Sequence, residues 1–235
     1  MLQCICEVFL TPSFFIFRMA FECILLGNSM VRGLSPPGFT QTICLPGAGW
    51  REITDHVVNN RNKFKQSVIW VLIGPLRFTH LEIEKGRREV TFEEKPEESI
   101  EEIFKEWKPL EDNHTYLVVC TLIPMSFSIH NKHLSGKNED SWRKYEDKYV
   151  HWDRRIKGHI VIENQKVVEW NSQNKMCTPF VHKSVFRRRN HHYAFRAGMT
   201  KDGLHPNQAL KEDISHELHR NLVHNLIRMI DGEKE

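Results

Sequence analysis

Apolar and polar positions along the chain fall into two kinds of run. Residues 23–26, 67–73 and 116–123 are apolar almost throughout, and each is stopped by Gly or Pro. Runs of that kind are strands covered on both faces, as in a parallel sheet. Residues 41–45, ended by Pro46-Gly47-Ala48-Gly49, and residues 166–170 predict two further short strands. The other runs have helical spacing. In 97–107, Ile100, Ile103, Phe104 and Trp107 recur at i, i+3, i+4 and i+7 behind a glutamate-rich first turn. In 207–230, Leu210, Ile214, Leu218, Leu222, Leu226 and Ile230 recur every four residues. Residues 50–64 and 139–163 carry similar stripes. Residues 76–95 break the pattern: two β-like runs, 78–84 and 89–94, flank Lys85-Gly86 and predict an inserted hairpin.

Strands alternate with helices. That order predicts a three-layer α/β/α domain with a mainly parallel, five-stranded sheet. The domain spans 21–235, and residues 1–20 form an N-terminal extension or follow from a mis-called start at Met1 instead of Met19. The extension is apolar, but it lacks an early basic residue, and Glu7 and Pro12 interrupt it. It fits neither a secretory signal nor a membrane span. A cytoplasmic or nuclear protein without a membrane partner is the expectation.

Composition narrows the picture only a little. The chain has 235 residues, is 40% hydrophobic and 27% charged, and carries 33 Lys+Arg against 30 Asp+Glu. A core is affordable, and the small net charge of +3 implies no polyanionic partner by itself. Six cysteines at irregular spacing read as free thiols. Cys4-Ile5-Cys6, Cys177 with His182, and His191-His192 lack paired zinc spacing, so no metal and no cofactor is expected.

In α/β sheets, chemistry gathers beyond the carboxyl ends of the strands. Gly27-Asn28-Ser29 stands at the end of the first strand. A serine there offers a nucleophile and an outward N–H in one residue, although taken alone such a serine is more often a helix cap. Far along the chain, Lys201-Asp202-Gly203-Leu204-His205-Pro206-Asn207 precedes the last helix. Asp202 can orient one nitrogen of His205 and leave the other to take a proton from a hydroxyl. The segment also reads as a plain helix entry, with Asp202 in a turn and Pro206 in the first helical turn.

With both segments in view, the sequence resembles the SGNH hydrolases, also called GDSL-type esterases and lipases. LLGNSMVRGL, PGAGWREI, SVIWVLIG and KDGLHPN fall in the order of that family's four blocks, over roughly 22–230. The resemblance implies a flavodoxin-like fold and metal-free hydrolysis of a small ester. It implies Ser29 as nucleophile, His205 as base and Asp202 as its orienting acid. It assigns the oxyanion to the N–H groups of Ser29 and Gly47, with Gly49 as the substitute for Gly47, and it matches Gly74 to the third block's glycine. Two departures stand out. Asn28 replaces the usual aspartate before the nucleophile. Gly74-Pro75-Leu76-Arg77 replaces Gly-x-Asn-Asp, so Leu76 stands where an asparagine would donate to the oxyanion, with Arg77 beside it as a candidate substitute charge.

A basic segment supports a rival reading. Residues 180–201 hold six Lys or Arg, three His and no acid, interleaved with Phe186, Tyr193 and Phe195. Within 183–196, Arg187, Arg188 and Arg189 suit phosphates and the rings suit bases, which makes RNA or DNA the alternative partner. The resemblance supplies a precedent in an SGNH-like domain that lacks the nucleophile and binds RNA. The plainer reading is a solvated face answering the acidic stretch 82–112, which holds twelve acids against six bases. Trp107, Trp142 and Trp152 read as core, and His80, His130, His133, His151 and His159 as ordinary surface or half-buried residues.

Overall fold

The structure is a computed structural model that describes residues 21–84, 87–94, 98–136, 143–189, 192–195 and 197–232. The N-terminal extension, the Lys85-Gly86 turn and Trp142 lie outside the described residues. Four strands form the central sheet: β1 (Glu22–Gly27), β2 (Gln41–Cys44), β3 (Ser67–Leu72) and β6 (Thr115–Val119). Their order is β2-β1-β3-β6, and every pairing is parallel. The inserted hairpin forms as β4 (Thr79–Glu84) and β5 (Arg87–Phe92), paired antiparallel outside that sheet. A second antiparallel pair, β7 (Phe186–Arg189) and β8 (His192–Phe195), was not foreseen from the pattern.

All six residues of β3 are buried, which is why its sequence shows no alternation. The helices around the sheet are α1 (Trp50–Asn59), α2 (Ile100–Trp107), α3 (Phe127–Ser135), α4 (Glu146–Gln173) and α5 (Gln208–Gly232). Trp50, Phe104, Trp107 and Trp170 join α1, α2 and α4 in one aromatic cluster. Asn221 of α5 accepts a 2.8 Å bond from the buried Trp70 Nε1 of β3. Among the described residues no helix is long and apolar enough to cross a membrane.

The expected fifth strand at 166–170 is a correction: those residues lie inside α4. The helix runs from Glu146 to Gln173, against an expected 139–163. Its buried face mixes Ile156, Ile160, Val167 and Trp170 with Glu163, Asn164 and Asn171, and the polar members disguised the helical stripe. Those asparagines do the work of the absent strand. Asn171 accepts from Val119 N–H at 2.9 Å and donates to its carbonyl at 2.7 Å. Asn164, two turns earlier, accepts from Leu122 N–H at 2.7 Å. Side-chain amides thus meet main-chain groups beside and beyond the end of β6, as a neighbouring strand would.

Candidate active site

The close of β1 is set by a glycine. A Cβ on Gly27 would lie 2.0 Å from the Leu72 carbonyl oxygen, so only glycine lets β1 and β3 stay together up to the turn. Beyond it, Asn28 caps a short 3₁₀ turn, Ser29–Val31, by accepting from Met30 N–H at 3.1 Å. The cap is therefore Asn28, and the Ser29 hydroxyl is not spent on one. Asn28 Nδ2 donates to the Ala48 carbonyl at 3.2 Å, which draws the loop holding Gly47 against the turn holding Ser29. Neither the Ser29 nor the Gly47 N–H meets a main-chain acceptor among the described residues.

The second half of the site comes from the loop before α5. Asn207, bonded to Leu210 N–H at 3.0 Å, opens the helix there, so Pro206 lies outside the helix. Asp202 Oδ1 accepts from the N–H groups of Leu204 at 3.1 Å and His205 at 2.7 Å. Its other oxygen lies 2.7 Å from His205 Nδ1, and His205 Nε2 lies 3.2 Å from Ser29 Oγ. A carboxylate only accepts, so Nδ1 carries the proton and Nε2 is left to accept from the serine hydroxyl. Burial raises the Asp202 carboxyl, but the bonds from the His205 ring and from the two N–H groups outweigh it. The carboxyl is held well below the usual carboxylate range.

No protein-family model and no curated protein matches the chain. Solved structures do. One is a Bacteroides fragilis protein assigned as an acylhydrolase, at TM-score 0.57 and 12% identity, covering 87% of this chain and 88% of that one. Another is a GDSL-like lipase from Bacteroides thetaiotaomicron, at TM-score 0.54 and 11% identity, covering 88% of each. This chain has a divergent SGNH-like fold. At such identity the likeness shows the fold alone, and any chemistry rests on the residues themselves.

Within the SGNH-like fold, the third block departs as its sequence indicated. Gly74 packs against Met30, since a Cβ there would lie 3.2 Å from Met30 Cγ. Leu76 is half-buried and brings no hydrogen-bonding side chain. The expected use of Arg77 as a substitute charge is corrected. Its guanidinium bonds Glu163 of α4 at 3.1 Å and also the Glu98 carbonyl, so its charge is committed there.

Three further placements complete the site. His130, expected to be ordinary, is only 8% exposed and bonds the Asp202 carbonyl at 3.0 Å. No local pattern marks it, because the contact spans 72 residues. Arg187, Arg188 and Arg189 lie on β7, and their side chains are outside the described residues. Finally, a cavity of about 550 Å³ opens between α4 and Phe180–His182, lined also by Thr121 and Asn164 but by none of Ser29, Asp202 and His205.

Proposed function

We propose that the chain is a serine hydrolase acting on a carboxylic ester. Ser29 Oγ attacks the acyl carbon while His205 Nε2 takes its proton, and Asp202 balances the imidazolium. The oxyanion forms against the N–H groups of Ser29 and Gly47. His205 returns the proton to the leaving alkoxide, and the alcohol departs. Water, deprotonated by His205, then attacks the acyl–Ser29 ester; Ser29 Oγ leaves, takes that proton back from His205, and the acid is released.

The observation that supports this reading is the bridge formed by His205, 2.7 Å from Asp202 and 3.2 Å from Ser29. A packing histidine has no reason to connect a carboxylate to a serine hydroxyl from the far end of the chain. The weak point is the missing third donor, since losing one such donor typically costs ~10²–10³ in turnover. The reaction is accordingly slow.

A fluorophosphonate probe tests the reading, because it labels only an activated serine. Wild type should label and should hydrolyse p-nitrophenyl acetate, and Ser29→Ala should do neither. Leu76→Asn should raise hydrolysis by up to ~10² if the new amide reaches the oxyanion. Labelling and hydrolysis only after Leu76→Asn would mean a decayed enzyme. No labelling in either background would end the hydrolase reading and leave nucleic-acid binding by the basic segment 183–196 in its place.

A further inference from the structure

The loop that presents Asp202 and His205 is held from outside by α3. Ser126, which caps that helix, donates its N–H to the Gly203 carbonyl at 2.9 Å. Gly203 has φ +83°, and a Cβ there would lie 2.8 Å from His130 N and 2.9 Å from the Ser126 carbonyl. The loop therefore lies flat on the first turn of α3, and a side chain at this position would lift it off. That first turn is fixed in turn by α4. Asp153 accepts from Ser126 Oγ at 3.0 Å and also from the Ser128 hydroxyl and the Phe127 N–H.

His130 stands between these parts. Its Nδ1 lies 3.0 Å from the Asp202 carbonyl oxygen and 3.7 Å from Asp202 Oδ2. A carbonyl only accepts, so Nδ1 carries the proton and donates. Burial lowers the pKa of the imidazole, against the opposing pull of the Asp202 carbonyl and charge. That direction favours the uncharged ring. A neutral donor fixes the main chain of Asp202 without drawing its carboxylate away from His205, whereas a cation at 3.7 Å would compete for it.

We propose that His130 is a positioning residue for Asp202, which sets where the carboxylate meets His205 and so which nitrogen of His205 faces Ser29. The proposal rests on the hydrolase reading of Ser29, His205 and Asp202. The chemistry is that of a second imidazole acting through the main chain of the acid, never touching the substrate.

Two variants of the full chain test it, His130→Leu and His130→Asn. Asparagine keeps an N–H donor close to where Nδ1–H stands, and leucine keeps only bulk. Three quantities are read: the rate constant of Ser29 labelling by fluorophosphonate, the tautomer of His205 by imidazole ¹⁵N NMR, and the thermal midpoint. His130→Leu should slow labelling by about tenfold, inside the range up to ~10² that a 1 Å misplacement produces. His205 should lose its single Nδ1–H tautomer, and His130→Asn should restore both. Wild-type labelling and tautomer in His130→Leu would overturn the proposal. So would equal losses in both variants that follow a lowered thermal midpoint, because His130 would then be packing alone. If neither wild type nor Leu76→Asn labels, the hydrolase reading fails by itself, and the tautomer comparison still decides the part played by His130.

Discussion

Asn28 occupies a position where the SGNH pattern carries aspartate, and its two side-chain atoms do opposite things. Oδ1 accepts from Met30 N–H, as an aspartate could, while Nδ2 donates to the Ala48 carbonyl, as an aspartate could not. Restoring the usual residue should therefore harm this chain. Asn28→Asp would bury a carboxylate oxygen against a carbonyl at a site 1% exposed, costing about 1–3 kcal/mol and loosening the Gly47 loop. Urea denaturation and probe labelling should both decline, and a variant as stable and as reactive as wild type would show that the Asn28–Ala48 bond does not matter. The residues legible from sequence share one trait. Asp202 and His205 sit three apart in a turn, and Ser29 stands two residues past the end of β1, so short-range spacing marks them as candidates. The Asn28–Ala48 bond and the His130–Asp202 bond span 20 and 72 residues, and no local pattern encodes them.

Among the elements, β1, β3, β6 and α5 were legible because their buried faces are apolar. Leu210, Ile214, Leu218, Leu222 and Leu226 are all buried, as their spacing requires. Two helical stretches that the pattern missed, α3 and the C-terminal half of α4, bury polar residues instead: His130 and Asn131 in one, Glu163, Asn164 and Asn171 in the other. Hydrophobic periodicity cannot see a face whose side chains are there to bond main-chain groups. Asn131 repeats the device on the inserted hairpin, accepting from Val90 N–H at 2.8 Å and donating to its carbonyl at 2.9 Å. Asn171→Leu would keep the volume and strand both main-chain groups of Val119, costing about 2–4 kcal/mol. Asn171→Asp would spare the N–H but turn a buried carboxylate oxygen on the Val119 carbonyl, as Asn28→Asp would on that of Ala48. A denaturation series should rank wild type above both variants, and a leucine variant equal to wild type would remove the amide from the account. With its main-chain groups met in this way, the β6 side of the sheet offers little to a strand from another molecule.

At the scale of the whole molecule, buried histidines tie stability to pH. Burial, aided by the charge of Lys183, pushes His182 from 6.5 down to about 4. Between those values the unfolded imidazole holds a proton that the folded one lacks. Unfolding then takes up protons, so stability is full above about pH 6.5 and falls as the pH drops toward 4. The loss reaches about 3 kcal/mol at most, and the lowered pKa of His130 acts in the same direction. Chemical denaturation at intervals from pH 8 to pH 4 should show this slope, and His182→Gln should flatten it. An unchanged slope in that variant would assign the effect to other groups.

Ser29 and His205 are 176 residues apart, one just past the first strand and the other just before the last helix. A ribosome builds Ser29 ahead of His205 by those 176 residues. Until His205 is in place, the proposed function leaves Ser29 an ordinary alcohol, unable to be acylated by passing esters. On the proposed function, a chain stopped or cut ahead of Asp202 keeps that inert alcohol, so reactivity at Ser29 reports that synthesis has passed His205 and the loop has docked.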